Sequence, residues 1–246
     1  MDYRNKLFSI LGDSISTFEG VSVPANAVYY DRTRKLSSGV ATPQETWWGQ
    51  VIAALGGELL VNNAFSGSTV CWHPLYEHPT YGCSDERTAS LGKDGRTPDV
   101  ILVYLGTNDW GCGLRVYRDE RYDPVADSPA LFFPAYQQML EKIRGNYPNA
   151  EIWCFTFPTS RCSAKPNFAF PYCYGGRHIS EYCDVVRLCA KEHGCRVIDL
   201  YHSSAPYDTV DGFHPTASGM KTIADAVIRE VSRFALVPGE NNTMTP

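Results

Sequence analysis

No segment of the chain approaches the roughly 20 consecutive apolar residues that span a bilayer, so no spanning helix is expected. A basic excess is missing too. The 22 Lys and Arg against 27 Asp and Glu give a formal net charge of −5, which offers nucleic acid or an anionic membrane surface no electrostatic footprint. None of the nine cysteines falls in a Cys-x-x-Cys pair, which argues against a zinc ribbon or a thioredoxin-like redox site. Internal repeats and linker-like stretches are lacking as well. Met1-Asp2-Tyr3-Arg4-Asn5 runs straight into an apolar stretch without a signal-peptide cleavage region, and the expected location is cytoplasmic. In that reducing setting the cysteines are expected as free thiols, with Cys154 in a core strand and Cys183 and Cys189 in a helix. Cys162 and Cys173 flank an irregular loop and would be the exception.

What remains is an ordinary globular composition, 43% hydrophobic and 20% charged over 246 residues. That suffices for one well-buried domain, expected over residues 1–237, with a polar tail at 238–246 expected to be disordered. Five short apolar runs read as strands: Lys6–Leu11, Glu58–Asn62, Val100–Leu105, Glu151–Thr156 and Arg196–Asp199. Helical patterns alternate with them. Thr46 can cap a helix through Leu55 that stops at Gly56-Gly57. Tyr136, Met139, Leu140 and Ile143 make one face of a helix over Phe133–Asn146. A further helix is expected from Ile179 to His193, ending at Gly194. The last runs from Thr216 to Phe234, with Ile223, Ala226, Val227 and Val231 inward. Strands alternating with helices predict an α/β fold with a parallel sheet covered on both sides.

Three connections are too long for simple turns: Phe18–Glu45, Asn63–Pro98 and Gly106–Ser128. Such loops usually carry function, and open parallel sheets bind ligands at the carboxyl ends of their strands.

The first strand ends abruptly in Gly12-Asp13-Ser14, which delivers a hydroxyl to the end of the sheet. Alone, the tripeptide suits any turn or helix cap. Three later segments change its weight: Asn62-Asn63-Ala64-Phe65-Ser66-Gly67-Ser68-Thr69, Leu105-Gly106-Thr107-Asn108-Asp109 and Asp211-Gly212-Phe213-His214-Pro215. Serine, glycine, asparagine and an Asp-x-x-His pair follow in that order, each at a strand end or a helix start. In this the chain resembles the SGNH, or GDSL-type, hydrolases over Lys6 to Phe234. The resemblance implies a three-layer α/β/α sandwich whose five-stranded parallel sheet has the flavodoxin-like order 2-1-3-4-5. Ile15 stands where the family name implies leucine, a conservative departure.

A serine hydroxyl attacks only as a base removes its proton. Ser14 is the natural nucleophile and His214 the natural base, with Asp211 able to hold the imidazole tautomer through the other ring nitrogen. An attacked ester develops an oxyanion, for which the N–H of Ser14, the unobstructed N–H of Gly67 and the carboxamide of Asn108 are candidate donors. The resemblance assigns these roles to Ser14, Gly67, Asn108 and His214. Each of these residues singly could instead be a cap, a turn glycine or a solvated turn; their order at matched strand ends argues for the catalytic reading. Asp13 and Asp109 read as loop-stabilising. His73 and His78 lie beside Cys71 and Cys83 but lack metal-ligand spacing, so neither metal nor cofactor is expected. His202 could line the cleft, and His178 and His193 read as surface or helix-end residues.

The long loops are aromatic rather than aliphatic. Tyr29, Tyr30, Trp72, Tyr76, Trp110 and Tyr117 alternate with arginines such as Arg32, Arg34 and Arg115. Flat amphipathic rings suit sugar faces, so the expected substrate is a short-acyl, acetyl-type ester on a carbohydrate, with Trp72 and Trp110 as stacking candidates. The arginines could instead select an acidic or phosphate-bearing substrate. A lysophospholipase or acyl-thioesterase with the same machinery, and a non-catalytic carbohydrate-binding protein, are the rival readings. The expected partner is a small-molecule or oligosaccharide ester; oligomeric state is left open.

Overall fold

The computed structural model describes residues 2–72, 81–117 and 130–234. The tail at 238–246, His73, Tyr76 and His78 lie outside the described residues.

Five strands form the main sheet: β1 (Leu7–Gly12), β2 (Glu58–Ala64), β3 (Val100–Tyr104), β4 (Glu151–Phe155) and β5 (Arg196–Ile198). All neighbours are parallel and the order is β2-β1-β3-β4-β5, the 2-1-3-4-5 arrangement. Central β3, Val-Ile-Leu-Val-Tyr, is buried at every position. A strand covered on both faces must be apolar throughout, which is why it reads as an unbroken hydrophobic run.

The helices begin and end at legible punctuation. α1 (Trp47–Leu55) starts where the Thr46 hydroxyl accepts from the Gly49 N–H, and stops at Gly56 in the left-handed region. The short α2 (Asp85–Ala89) is capped by Ser84, and α3 (Thr107–Gly111) follows β3 almost at once. α4 (Phe132–Asn146) and α5 (Ile179–Glu192) come next, the latter capped by His178 with Glu181 closing a capping box. α6 (Ala217–Phe234) ends the described chain. Among the described residues no helix is long and apolar enough to cross a membrane.

The sheet lies between two helical layers. α1 packs on α6, while α4 packs on α2 and α5. Side-chain alternation along β4 joins both layers to the sheet. Phe155 meets Trp47 of α1 at 5.2 Å and Trp153 meets Phe234 of α6 at 5.9 Å. Cys154, between them, faces Tyr136 of α4 instead. All nine cysteines are free thiols, Cys162 and Cys173 included.

Two small additions flank the carboxyl edge of the sheet. Ser160–Arg161 pairs in parallel with Tyr207–Asp208, tying the segment after β4 to the one after β5. Cys173–Tyr174 and Arg177–His178 form a tight hairpin through Gly175-Gly176.

Candidate active site

β1 runs without a break into the site. Gly12, its last residue, has no room for a side chain: a Cβ there would lie 2.9 Å from Ser16 Cβ and 3.3 Å from the Tyr104 carbonyl oxygen. The chain turns at Asp13, whose carboxylate accepts the Ile15 N–H at 3.0 Å and caps a single 3-10 turn over Ser14–Ser16. Ser14 is thereby held at the sheet end, 6% exposed.

His214 reaches Ser14 from the loop before α6. Its Nε2 lies 2.9 Å from Ser14 Oγ, and its Nδ1 lies 2.7 Å from Asp211 Oδ2. The other carboxylate oxygen of Asp211 accepts the backbone N–H groups of Phe213 and His214 at 3.0 and 2.9 Å. Partial burial pushes the Asp211 carboxyl up, but the hydrogen bonds from the His214 ring and from the backbone outweigh it and hold the group well below the usual carboxylate range. The loop is braced by a bridge between Thr209 and Pro215, and by Ser160 Oγ donating to the Gly212 carbonyl at 2.6 Å.

The third part of the site comes from the ends of β2 and β3. Gly67 sits at φ +85°, a conformation that favours glycine. The Asn108 carboxamide, from the first turn of α3, donates to the Ser68 carbonyl at 2.8 Å, which leaves it a second N–H. Among the described residues, the backbone N–H groups of Ser14 and Gly67 meet no hydrogen-bond acceptor. Donors so placed can receive a negatively charged oxygen.

Asp109 is fully buried and accepts from the Val70 and Cys71 N–H groups at 2.8 and 3.0 Å, which pins the strand-end loop. Burial pushes its carboxyl up to about 6 even so. Asp13, buried as deeply, is pushed up to about 7, first by burial and further by the nearby Asp109 charge.

Two residues that matter here carry no motif. Tyr29, from the connection after β1, stacks on the His214 ring, with its hydroxyl 3.4 Å from Asp211 Oδ2. Arg87 of α2 is buried and bonds the Gly12 and Asn63 carbonyls and Ser68 Oγ. No periodicity marks either one, since both contacts are made by long-range closure.

Two expectations are corrected. Trp110 is 1% exposed and packs among Phe170, Tyr174 and Phe213, so it offers no face to a sugar. The segment from Phe170 to Tyr174 covers it, and the Tyr174-Gly175-Gly176-Arg177 hairpin turn is the sequence signal for that cover. His202 does not line the cleft; it bonds Asp199 and Arg187 beside the end of β5. Trp72 remains 41% exposed, directly after the Cys71 that Asp109 holds.

Residues 6–159 match the family model for GDSL-like lipases and acylhydrolases. The chain belongs to this family. It is an SGNH-type ester hydrolase, with the family's sheet and helical layers. A GDSL-like lipase from Bacteroides uniformis is 31% identical, with a TM-score of 0.68, over 93% of this chain and 96% of that one. A GDSL-like lipase from Bacteroides ovatus is 27% identical, with a TM-score of 0.69, over 93% and 99%. A carbohydrate acetylesterase family member from Sinorhizobium meliloti is 18% identical, with a TM-score of 0.58, over 94% and 100%, and shares the fold. Comparison with curated protein sequences finds no match.

Proposed function

We propose that this hydrolase is a serine esterase that removes short acyl groups, acetyl foremost, from carbohydrate esters through an acyl-enzyme at Ser14. One observation carries the reading: His214 spans Ser14 Oγ and Asp211 Oδ2 at 2.9 and 2.7 Å. In this mechanism Ser14 Oγ attacks the ester carbonyl as His214 Nε2 takes its proton, and Asp211 stabilises the imidazolium. The carbonyl oxygen becomes an oxyanion that accepts from the Ser14 and Gly67 N–H groups and Asn108 Nδ2. His214 then returns the proton to the leaving alcohol. Water then attacks the acyl carbon as His214 Nε2 takes its proton, and the bond to Ser14 Oγ breaks as His214 returns that proton to it, releasing the acid.

The acyl and alcohol preferences are supported by the character of the exposed surface as a whole. Among the described residues the exposed large hydrophobic side chains are Trp72, Tyr117, Tyr172, Leu36 and Leu188. Rings prevail over aliphatic side chains, and rings with polar edges favour sugars over a long acyl chain. A carbohydrate acetylesterase family member shares the fold.

The test is a fluorophosphonate labelling assay joined to an ester panel. Ser14 should be labelled, Ser14→Ala should be neither labelled nor active, and sugar acetates should be cleaved faster than octanoyl esters. An unlabelled protein would point to a non-catalytic sugar binder. Preference for long acyl chains would point to a lysophospholipase or thioesterase.

A further inference from the structure

Arg87 takes no part in the acyl-transfer steps above, yet it is a cation at 4% exposure beside the site. Its Nη2 donates to the Gly12 carbonyl at 3.1 Å and to the Asn63 carbonyl at 2.7 Å, and its Nη1 donates to Ser68 Oγ at 2.9 Å. These acceptors lie on two stretches of chain, the end of β1 and the end of β2 with the turn that follows it. Gly12 ends β1, two residues before the nucleophile. Asn63 is at the end of β2, just before the turn that carries Gly67. Ser68 follows Gly67 directly. Asn63 returns the contact, its Nδ2 donating to the Arg87 carbonyl at 3.2 Å.

We infer that Arg87 is a positioning residue for the oxyanion hole, fixing the distance between the Ser14 and Gly67 N–H groups. The inference rests on the esterase reading and extends it. Ser68 is held from both sides, its hydroxyl by Arg87 and its carbonyl by Asn108. The Ser68 N–H donates to the Phe65 carbonyl at 3.0 Å, so the residue after Gly67 is fixed at its N–H, its hydroxyl and its carbonyl, and the turn carrying Gly67 cannot swing without breaking one of those bonds. A flat guanidinium suits the task because it presents several donors in fixed directions, where a lysine offers a single flexible point. A neutral amide could supply two N–H donors but no charge. Burial pulls the Arg87 group down to about 10, so it stays cationic at neutral pH, with the Asp13 and Glu86 carboxyls nearby. Its positive field behind the hole favours the charge that develops on the ester oxygen. A clamp that only held α2 to the sheet would affect folding and leave turnover of the folded enzyme alone. A positioning residue acts on turnover.

The experiment compares Arg87→Lys, Arg87→Met and the double variant Asp13→Asn/Arg87→Met with the parent and with Asp13→Asn. The double variant leaves no lone buried carboxylate, so it decides the matter if Arg87→Met alone does not fold. Steady-state kinetics on 4-nitrophenyl acetate are read beside amide hydrogen exchange over residues 65–69. In the folded double variant kcat should fall about 30–100-fold relative to Asp13→Asn, with KM within about threefold. Exchange over residues 65–69 should quicken at least about tenfold. Arg87→Lys should recover part of the lost kcat. A kcat within about threefold of Asp13→Asn, a loss confined to KM, or unchanged exchange at 65–69 overturns the inference. Failure of the esterase reading looks different: Ser14→Ala would keep its activity, while the exchange data would still report whether Arg87 holds the turn.

Discussion

The Tyr29 ring lies flat on the His214 imidazole, with centroids 3.5 Å apart and planes 5° from parallel. Tyr29 is itself anchored, its N–H donating to Thr17 Oγ1 at 2.8 Å, and the adjacent Tyr30 hydroxyl donates to the Pro215 carbonyl at 2.8 Å. One dipeptide from the connection after β1 thus grips the His214 loop at two points. The aromatic face covers one side of the imidazole and, in the proposed mechanism, favours the imidazolium formed when Ser14 gives up its proton. Tyr29→Leu should lower kcat about tenfold with KM little changed, a loss of about 1.4 kcal/mol in transition-state stabilisation. Tyr29→Phe should stay near the parent, because the hydroxyl contact to Asp211 is long at 3.4 Å. Equal losses in both variants would shift the role from the ring to the hydroxyl.

Asn108 holds the Ser68 carbonyl and, in the proposed mechanism, gives its second N–H to the oxyanion, so its removal should harm both. Asn108→Ala should lower turnover about 10²–10³-fold. Ser14→Ala and His214→Ala should each lower it by several orders of magnitude, and the pair together should add little, since the two groups act as a unit. Asp211→Asn should cost less than loss of His214, because in the proposed mechanism Asp211 orients the ring and does not transfer the proton itself. Additive losses in the Ser14/His214 double variant would break the assignment.

Much of the fold was legible because its strands are buried on both sides and read as unbroken apolar runs. β3 was expected at Val100–Leu105 and occupies Val100–Tyr104; β2 runs two residues past its expected end, to Ala64, because Asn62 and Asn63 satisfy their polar groups inside the site. The four motif segments are legible since three sit where a strand ends and the fourth, Asp211–Pro215, just before α6. Tyr29 and Arg87 were not. Their partners are set by how loops close in space, and a tyrosine among many loop tyrosines carries no local mark. Trp110 misled for a related reason: aromatic content tells which rings exist, while burial depends on a hairpin more than sixty residues away in sequence.

Asp13 makes a prediction for stability and pH. Its Oδ2 is buried without a hydrogen-bond partner among the described residues, and the carboxyl is pushed up to about 7. Between pH 4 and 7 the folded state keeps this proton while the unfolded chain has released it. The unfolded state therefore binds fewer protons, and stability falls as pH rises through that window. A shift of this size sets a ceiling of about 4 kcal/mol on the decline. Asp109, pushed up to about 6, adds a decline of the same sign over a narrower range. Urea unfolding of the parent and Asp13→Asn at pH 5 and pH 8 checks this. The parent should lose more stability between the two than the variant does. Parallel losses would mean that Asp13 is ionised throughout.

The two tryptophans proposed for substrate contact should separate cleanly. Trp110 is buried under the Phe170–Tyr174 segment, with its indole N–H 3.3 Å from the Tyr172 carbonyl. Trp110→Ala should cost about 3–5 kcal/mol of stability, as large-to-small changes of core aromatics do. It should also lower turnover of every ester alike, because the packing around Phe213 next to His214 loosens with it. Trp72 is 41% exposed and follows the loop pinned by Asp109, so Trp72→Ala should leave the unfolding midpoint nearly unchanged. If its ring stacks on the sugar, the variant should raise KM for a sugar acetate and leave 4-nitrophenyl acetate almost untouched, a split that only a contact to the alcohol portion produces. Loss on both substrates would make Trp72 a loop-shaping residue, and no loss on either would move the sugar contact to the exposed Tyr117 or Tyr172.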